Sequence, residues 1–351
     1  MGGEVSFSAN GPFPETGWDG VWVGSDPEYG MPLEVLAGQW TKPGAPTQEA
    51  LKSAHKKRLD RRAVPLVVFA YDKNGKAWLY GPSTDAGVIE LTKSQGQRLL
   101  QSALSEPDAS SARSLLLRAR DALAEHGDAG VLLQGLFSDQ QILRGLPKQS
   151  GWTAACERGA KILAGNHRDI DLVRALGYQH KEIAGDALLL SLGGEPPRAV
   201  AILLRSTEAF DASGPRFSKS PIYHGLEIAR RNNVPWLVVA RVSEIRLYPT
   251  SPAVGVGRRG ATQTYFGLDL ALIDEGKAGY LDLAFSAKAL APNGSVDEIL
   301  NASKNYVADL SSRLRDRVYE DVVSRLSVAV AEKLRETGPL DADRLALAYR
   351  L

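Results

Sequence analysis

The chain has 351 residues, 42 Lys and Arg against 41 Asp and Glu, and a single cysteine. This length predicts two or three domains, and one cysteine excludes an internal disulfide framework. Charged residues make up 24% and hydrophobic residues 44% of the chain, which is typical of a folded protein and not of a disordered one. Because the sequence contains neither an apolar run of about 18 residues nor a secretory signal, we expect a cytoplasmic protein without membrane association.

Residues 1–150 are predicted to form an α+β domain. Gly and Pro are frequent over 1–46, and we interpret this stretch as an acidic arm with one short strand candidate over 21–23 rather than as core. The following predicted elements are, in chain order, a helix over 48–62, strands over 64–71 and 77–80 joined by the turn signal Asn74-Gly75, and helices over about 93–104 and 109–126. We place a domain boundary near 147–151, where Gly145-Leu146-Pro147 breaks the pattern.

Residues 151–295 alternate between helix and strand patterns, which predicts an α/β domain with a mixed sheet. The predicted elements are, in chain order, a helix over about 152–176, strands over 187–192 and 199–204, a helix over 220–232, and strands over 236–240, 245–248 and 262–270. Residues 296–351 form a helical segment, since apolar residues recur every three or four positions between 307 and 334. We expect Gly338-Pro339 to end this helix and 342–351 to form a last short helix.

The near-neutral total charge conceals an uneven distribution. Residues 1–50 contain seven acids and one base, for a net charge of −6, and residues 216–259 contain eight bases and two acids, for +6. A basic segment of this density is typical of a phosphate-binding surface. A solvated surface without a partner and a patch covered by the acidic arm stay open as alternatives. The candidate DNA-backbone contacts are Arg216, Lys219, Arg230, Arg231, Arg241, Arg258 and Arg259.

The second half of the chain resembles a known family in several segments. The helix over 172–178, the strand opened by Asp186 and the strand that ends at Arg205 resemble the α-β-β core of PD-(D/E)xK nuclease-like domains. Residues 233–239 followed by 245–248 are similar to a segment in the N-terminal regions of large, type IIG-like N6-adenine DNA methyltransferases. Those enzymes belong to restriction–modification systems and to phage-defence systems such as BREX and DISARM.

The resemblance covers about 170–351. Residues 310–320 resemble the helix that follows in the family, and 345–351 match the beginning of the next helix and stop there. The Asn/Asp-Pro-Pro-Tyr/Phe signature of the methyltransferase is absent from this sequence. We therefore expect either the N-terminal fragment of a longer methyltransferase or a gene product that retains only this region.

The resemblance implies a nuclease site in which two acids hold Mg²⁺ and a lysine orients the attacking water. Asp186 is the candidate first acid and metal ligand. The second strand should carry Glu-x-Lys but reads Ile202-Leu203-Leu204-Arg205. Leucine cannot bind Mg²⁺, and Arg205 is a poor substitute for the lysine because arginine stays charged. Glu227 on the crossover helix is the candidate for a displaced second acid, and Asp186 is equally well explained as a turn residue.

Residues 255–260 match the G-x-G-x-x-G spacing of dinucleotide-binding loops. A strand pattern follows where that fingerprint requires a helix, so we do not expect dinucleotide binding. A loop that presents Arg258 and Arg259 to phosphate and a solvated loop without a ligand both stay open. The five histidines lack the spacing of zinc ligands.

These patterns predict an α/β protein that is a DNA-associated, nuclease-like region of a restriction–modification or phage-defence methyltransferase. We expect it to bind the backbone of double-stranded DNA and to have lost catalysis, and the sequence identifies no cofactor other than Mg²⁺ in the case that nuclease activity is retained. Two alternatives are retained. One is a protein-interaction module that docks partners of a defence complex through its acidic arm and C-terminal helix. The other is an active, Mg²⁺-dependent endonuclease that uses Asp186 with Glu227.

Overall fold

The computed structural model describes residues 7–9, 22–26, 30–59, 65–83, 87–125, 128–183, 186–257 and 259–336. These residues form an α/β fold, as the sequence predicts, with two mixed β-sheets, whereas the sequence predicts a mixed sheet for the second region only. In each sheet one pair of neighbouring strands is parallel and the other pairs are antiparallel. Over the described ranges, every helix is too short or too polar to cross a membrane.

The first sheet follows the order of the chain. Its described strands are β1 (Phe7–Ala9), β2 (Trp22–Asp26), β3 (Gly30–Gln39), β4 (Leu66–Tyr71), β5 (Lys76–Tyr80) and β6 (Ile89–Thr92). The parallel pair is β3 with β4. Helix α1 (Gln48–Leu59) packs on one face of this sheet, and α2 (Lys93–Leu104) and α3 (Ala109–Glu125) pack on the other. The predicted hairpin and helices are therefore confirmed.

The interpretation of 1–46 as an arm outside the core is wrong for β3. This strand lies between β2 and β4, and Leu33 and Val35 are completely buried on the face that packs on α2 and α3. Pro32 and Gly38 conceal the strand in the sequence because both residue types are depleted in strands. The predicted strand over 21–23 overlaps β2. The other residues of the acidic arm before β3 lie outside the described ranges, apart from β1.

The second sheet has the spatial order β7-β13-β12-β11-β10-β9-β8, and its parallel pair is β10 with β11. Its strands are β7 (Val131–Gln134), β8 (Gln179–Ile183), β9 (Ala187–Ser191), β10 (Ala199–Leu204), β11 (Trp236–Arg241), β12 (Glu244–Pro249) and β13 (Tyr265–Asp269). Strands β9 to β13 confirm the predicted strands. β7 precedes the predicted boundary near 147–151 and joins this sheet by pairing with β13.

Helices cover both faces of the second sheet. They are α4 (Trp152–Ala164), α5 (Asp169–Ala175), α6 (Pro221–Arg231), α7 (Gly279–Phe285) and α8 (Ser295–Arg317). Along β10, Ala199 and Ala201 belong to the core on one face, and Val200 and Ile202 belong to the core beneath α6. Strands that are buried on both faces have continuous apolar sequences, which explains why β10 and β11 are easily recognised.

The predicted single helix over 152–176 is wrong, because the chain forms α4 and α5 with a turn between them. Gly165 ends α4, and Asn166 follows with φ +43°, a left-handed conformation that interrupts a helix. The predicted C-terminal helix is confirmed as far as it is described. It continues from α8 through a π-helical turn over 318–323 into α9 (Ser324–Glu336). Gly338-Pro339 and 342–351 lie outside the described residues.

A buried junction joins the two sheets at residues 270–273, directly after β13. Ala271 and Leu272 belong to the core of the first sheet, and their neighbours Leu270 and Ile273 to that of the second. Arg98 of α2 donates through Nε to the Leu270 carbonyl oxygen at 2.8 Å and through Nη2 to that of Ile273 at 2.6 Å. The two sheets are thus held together by shared apolar packing and by buried hydrogen bonds.

Candidate functional site

The strand register brings several candidate residues to one edge of the second sheet. β10 and β11 run parallel and end together, with Leu204 paired to Arg241. β9 begins at the same edge, where its first residue pairs with Ile202, and β12 begins there with Glu244 beside Arg241. In open α/β sheets, ligands bind beyond the carboxyl ends of parallel strands. The connection over 205–220 lies at this edge, and we call it the β10–α6 loop.

Asp186 lies in the turn before β9 and has φ +55°. Aspartate tolerates this left-handed conformation better than most residues that carry a Cβ atom. Its side chain is 66% exposed, and Oδ2 accepts a hydrogen bond from Arg216 Nε at 3.2 Å. The turn conformation therefore accounts for an aspartate here without any metal.

Arg216 of the β10–α6 loop is the centre of the site, and its side chain is only 18% exposed. Its Nη1 donates to Glu208 Oε2 at 2.9 Å, and both Nη1 and Nη2 lie 3.4 Å from the Leu203 carbonyl oxygen. Together with Asp186 on Nε, three oxygen groups surround one guanidinium group. The guanidinium carbon also lies 4.8 Å from the centroid of the Phe217 ring. A predicted DNA contact is thus engaged in internal interactions.

Glu208 is a site residue that sequence reasoning missed. Its side chain is 11% exposed, and besides Arg216 its Oε2 accepts the main-chain amide of Arg205 at 2.9 Å. The Glu208 carbonyl oxygen accepts a hydrogen bond from Arg241 Nη1 at 3.2 Å, so a second predicted DNA contact is used internally. Arg205, which stands where the nuclease lysine is expected, has an exposed side chain. No periodicity or motif marks the β10–α6 loop, so no sequence signal identifies Glu208.

Arg246 of β12 forms a second internal cluster. Its guanidinium carbon lies 3.8 Å from the centroid of the Phe210 ring and 4.7 Å from that of Tyr265. It pairs with Glu244 at 2.6 Å and with Asp211 at 3.6 Å, and its side chain is 13% exposed. Burial acts to lower the pKa of Arg246, but Glu244 and a hydrogen-bonded tyrosine hydroxyl raise it above its ordinary value. This stack ties the β10–α6 loop to the sheet.

Three predicted DNA contacts on α6 or just before it have exposed side chains. Lys219 lies just before the helix, and its Nζ is 4.0 Å from the centroid of the Tyr223 ring. Arg230 Nε donates to a main-chain carbonyl oxygen after β12 at 3.1 Å, and Arg231 pairs with Glu227 at 2.5 Å with 71% of the arginine side chain exposed. Lys219 precedes the first residue of α6 and Arg230 and Arg231 lie in its last turn, so these three exposed cations are spread along one helix, and we call the surface that they form the α6 face.

The residues at the strand ends do not fit an Mg²⁺ site. Leu203 stands at the position of the second acid and Arg205 at that of the lysine, and the neighbouring Ile202 and Leu204 are buried aliphatic residues. Glu227 pairs with Arg231 on its own helix, and Asp186 contacts a guanidinium group. Across the described part of the chain, no three His, Cys, Asp or Glu residues lie together where they could hold a metal ion. An active site built from Asp186 and Glu227 therefore has no structural support among these residues.

The Gly-rich loop over 255–260 packs on the main chain that follows β7. The amides of Val256 and Gly257 both donate to the Gly135 carbonyl oxygen, at 2.8 and 3.0 Å. A Cβ atom at Gly255 would lie 2.8 Å from that same oxygen, so close packing explains the glycine. These two amides are thus engaged internally, as they would not be in a phosphate-binding loop.

Of the two arginines of this loop, only Arg259 lies within the described residues. Arg259 is exposed and donates a hydrogen bond to the side-chain oxygen of Gln134. Arg258 lies outside the described residues. Arg259 is therefore the one whose position is known, and it lies beside β7 at the sheet edge opposite β8.

Acidic side chains also lie at the sheet edge where β10 and β11 end, near the internal arginines. Burial raises the pKa of Asp269, the last residue of β13, to about 6, although the amide of Ala271 donates to its carboxylate, and the nearby Glu244 raises it further. Burial also raises the pKa of Glu106 above its ordinary value, and the charge of Arg241 acts against that rise. The interior of this edge is therefore a mixed network of acids and bases rather than a basic surface.

No protein-family model, curated protein or solved structure matches this chain. The family resemblance of residues 170–351 therefore stays a prediction. The chemistry of the site has to be inferred from its own contacts.

Proposed function

We propose that this chain is a DNA-associated, nuclease-like region that binds the backbone of double-stranded DNA and does not cleave it. In this proposal it acts in the cytoplasm, within a restriction–modification or phage-defence methyltransferase system and its protein complex. The observation that carries the proposal is the α6 face, where Lys219, Arg230 and Arg231 stay exposed while Arg216 and Arg241 are engaged internally.

The order of elements supports a nuclease-like core. Helix α5 precedes the antiparallel strands β9 and β10, and α6 connects β10 to its parallel neighbour β11. Strand β8 stands between α5 and β9 and pairs with β9, so the chain has one strand more than the helix-strand-strand order that the resemblance of 172–205 implies. The position of the crossover helix after these strands is compatible with that resemblance.

The contacts of Arg216 support the loss of catalysis. A nuclease metal needs carboxylate oxygens free to bind it, but here the carboxylates of Asp186 and Glu208 bind the Arg216 guanidinium. The aliphatic residues Ile202 and Leu204 add no ligand. The positive charge beside these carboxylates is thus the guanidinium group of Arg216 and not a metal ion.

The α6 face supports contact with phosphates rather than with bases. Lysine and arginine side chains that neutralise phosphates release counterions and provide affinity without reading sequence. The face has three cations and one acid, Glu227, and the adjacent Tyr223 is 40% exposed. We therefore expect binding that is weak, independent of sequence and sensitive to salt.

A salt titration of DNA binding tests the proposal. The full chain is titrated against two labelled duplexes of unrelated sequence, in about 50 to 200 mM salt. We expect similar affinities for both duplexes and a slope of log K against log salt of about −2 to −3, since each neutralised phosphate contributes about −0.9. Weak binding that does not change with salt would contradict DNA binding, and a strong preference for one duplex would contradict backbone contact.

A plasmid assay tests the loss of catalysis. Supercoiled plasmid is incubated with the full chain and Mg²⁺ or Mn²⁺, and we expect no nicking. Nicking that disappears in Asp186→Ala but persists in the control Asp171→Ala, an exposed aspartate on α5, would overturn the proposal and identify Asp186 as catalytic.

A protein-interaction module is the second candidate function. It is favoured by exposed apolar side chains on the C-terminal helix, between Leu310 and Val328. Such a patch is typical of a docking surface.

A further inference from the structure

The helix formed by α8, the π-helical turn and α9 exposes a row of large apolar side chains. Among the described residues, the exposed large hydrophobic side chains are Tyr223 and eight residues between 310 and 328. Five of the eight are spaced by four residues, and we call them the apolar stripe. They are Leu310 (38% exposed), Leu314 (55%), Val318 (48%), Val322 (56%) and Leu326 (49%).

The π-helical turn keeps the apolar stripe on one side of the helix. In an α-helix of 3.6 residues per turn, each step of four residues rotates a side chain by about 40°, so a stripe with this spacing would wind around the helix. A π-helical turn contains more residues, and the turn over 318–323 lies at the middle of the stripe. It therefore rotates the later positions back towards the earlier ones.

The exposed area is large enough for a stable interface. The side chains of the stripe and of its apolar neighbours Tyr319 and Val323 are 38–64% exposed, which corresponds to on the order of 500–600 Å² per chain, the upper end of the largest apolar patch on a typical monomer. Two such surfaces together bury about 1,000 Å² or more, which is the lower bound of specific protein interfaces.

The charges beside the stripe favour a second copy in antiparallel orientation. Residues 309–317 contain three bases and two acids, for a net charge of +1, and 319–327 contain two acids and one base, for −1. The midpoint of the stripe is Val318. Antiparallel pairing about this residue places the positive half of one helix on the negative half of the other, whereas parallel pairing places like charges together.

We propose that a second copy of this chain covers the apolar stripe, through antiparallel pairing of the C-terminal helices about a two-fold axis at Val318. Leu310 of each copy then faces Leu326 of the other, and Leu314 faces Val322. Such an interface is isologous and closes as a dimer. It does not depend on DNA binding or on the state of the nuclease-like site.

The mass of the full chain in solution tests the proposal. Light scattering after gel filtration should give about twice the 37.8 kDa of one chain. Leu314→Glu places a charge in the interface twice, and we expect it to weaken dimerisation at least about tenfold. Ser312→Glu, two residues away and on the opposite side of the helix, is the matched control and should stay dimeric. Circular dichroism of each variant checks that the fold is intact.

A wild-type chain that is still monomeric at about 100 μM would overturn the proposal, because a stable dimer forms well below that concentration. In that case a different protein, or the chain's own residues after 336, would pack on the apolar stripe in place of a second copy. A dimer that is unchanged in Leu314→Glu would equally overturn it.

Thiol cross-linking tests the orientation. Cys156 is the one cysteine of the sequence, so Cys156→Ser provides a clean background. In that background Val318→Cys should cross-link between copies. Leu310→Cys should not, because antiparallel pairing separates the two residues by 16 positions, or about 24 Å. Efficient cross-linking of Leu310→Cys would show parallel helices and overturn the proposed arrangement.

Discussion

The basic segment over 216–259 divides into two structurally different groups of cations. Arg216 and Arg246 lie beneath the surface, 18% and 13% exposed, and each is held by two carboxylates. Lys219, Arg230 and Arg231 lie on the α6 face with exposed side chains. The first group holds the β10–α6 loop on the sheet, and the second is available to a partner.

The difference shows why net charge along a sequence misjudges a surface. The segment has a net charge of +6, but the acids that balance its internal arginines lie before it, at Asp186, Glu208 and Asp211. Among the described residues of the segment, pairing in three dimensions leaves the cations of the α6 face, together with Arg259 at the far edge of the sheet, available for phosphates. Binding to DNA should accordingly depend on these few residues.

Removing Arg246 should have the largest effect on stability. Arg246→Ala leaves Glu244 without its partner and deletes the contacts with Phe210 and Tyr265, so the free energy of unfolding should fall by about 2–4 kcal/mol. Arg246→Lys keeps the charge but loses the planar group, and it should still lose about half of this. Urea denaturation measures both. A loss below about 0.5 kcal/mol for Arg246→Ala would show that the stack does not hold the loop.

Arg216→Met should have a smaller effect of the same kind. Met fills similar space without charge, and Asp186 can be solvated because it is 66% exposed, so mainly Glu208 loses its partner. We expect the free energy of unfolding to fall by about 1–3 kcal/mol. Arg174→Met, which breaks an exposed pair with Asp171, is the control and should change it by less than about 0.5 kcal/mol. Equal effects of the two substitutions would refute the internal role of Arg216.

Asp269→Asn should have the smallest effect and the opposite sign. The pKa of Asp269 is raised to about 6 in the folded protein, from an ordinary value of 3.8, so the folded state binds the proton more tightly. The resulting stabilisation is present below pH 3.8 and is lost as the pH rises through about 6. Asn avoids this loss and can still accept the amide of Ala271.

We therefore expect Asp269→Asn to raise the free energy of unfolding by about 1–2 kcal/mol above pH 6, with the gain fading towards pH 4. Thermal denaturation between these pH values measures the difference from wild type. Asp171→Asn, at an exposed position, should show no such gain. A gain in Asp269→Asn that is constant with pH would point to packing instead of the proton.

The central strands of the second sheet could be predicted from the sequence, but strand β3 of the first sheet could not, and the reason is physical. β10 and β11 are buried on both faces, so their apolar sequences are continuous and bounded by turn residues. β3 was missed because its pairing with β2 and β4 outweighs the presence of Pro32 and Gly38. Tertiary contacts of this kind override local propensity and leave no periodic signal.

Residues of the site could be predicted from the sequence only where they lie next to a recognisable turn or motif. The sequence predicts Asp186 at a strand start and offers a turn residue as the alternative, and its left-handed φ of +55° agrees with the turn. The roles of Glu208 and of Phe210 depend on a loop that folds back on the strand ends. Contacts between residues that are distant along the chain and follow no motif cannot be read from spacing.

The most direct test of the division between internal and exposed cations is the salt dependence of DNA binding in two matched triple variants. One carries Lys219→Gln, Arg230→Gln and Arg231→Gln on the α6 face. The other carries Arg113→Gln, Lys148→Gln and Lys161→Gln, which remove the same charge from exposed positions elsewhere. We predict that the first variant reduces the magnitude of the salt slope by about 2–3 and that the second leaves it near the wild-type value. A wild-type slope in the first variant, or an equal reduction in both, would contradict the account.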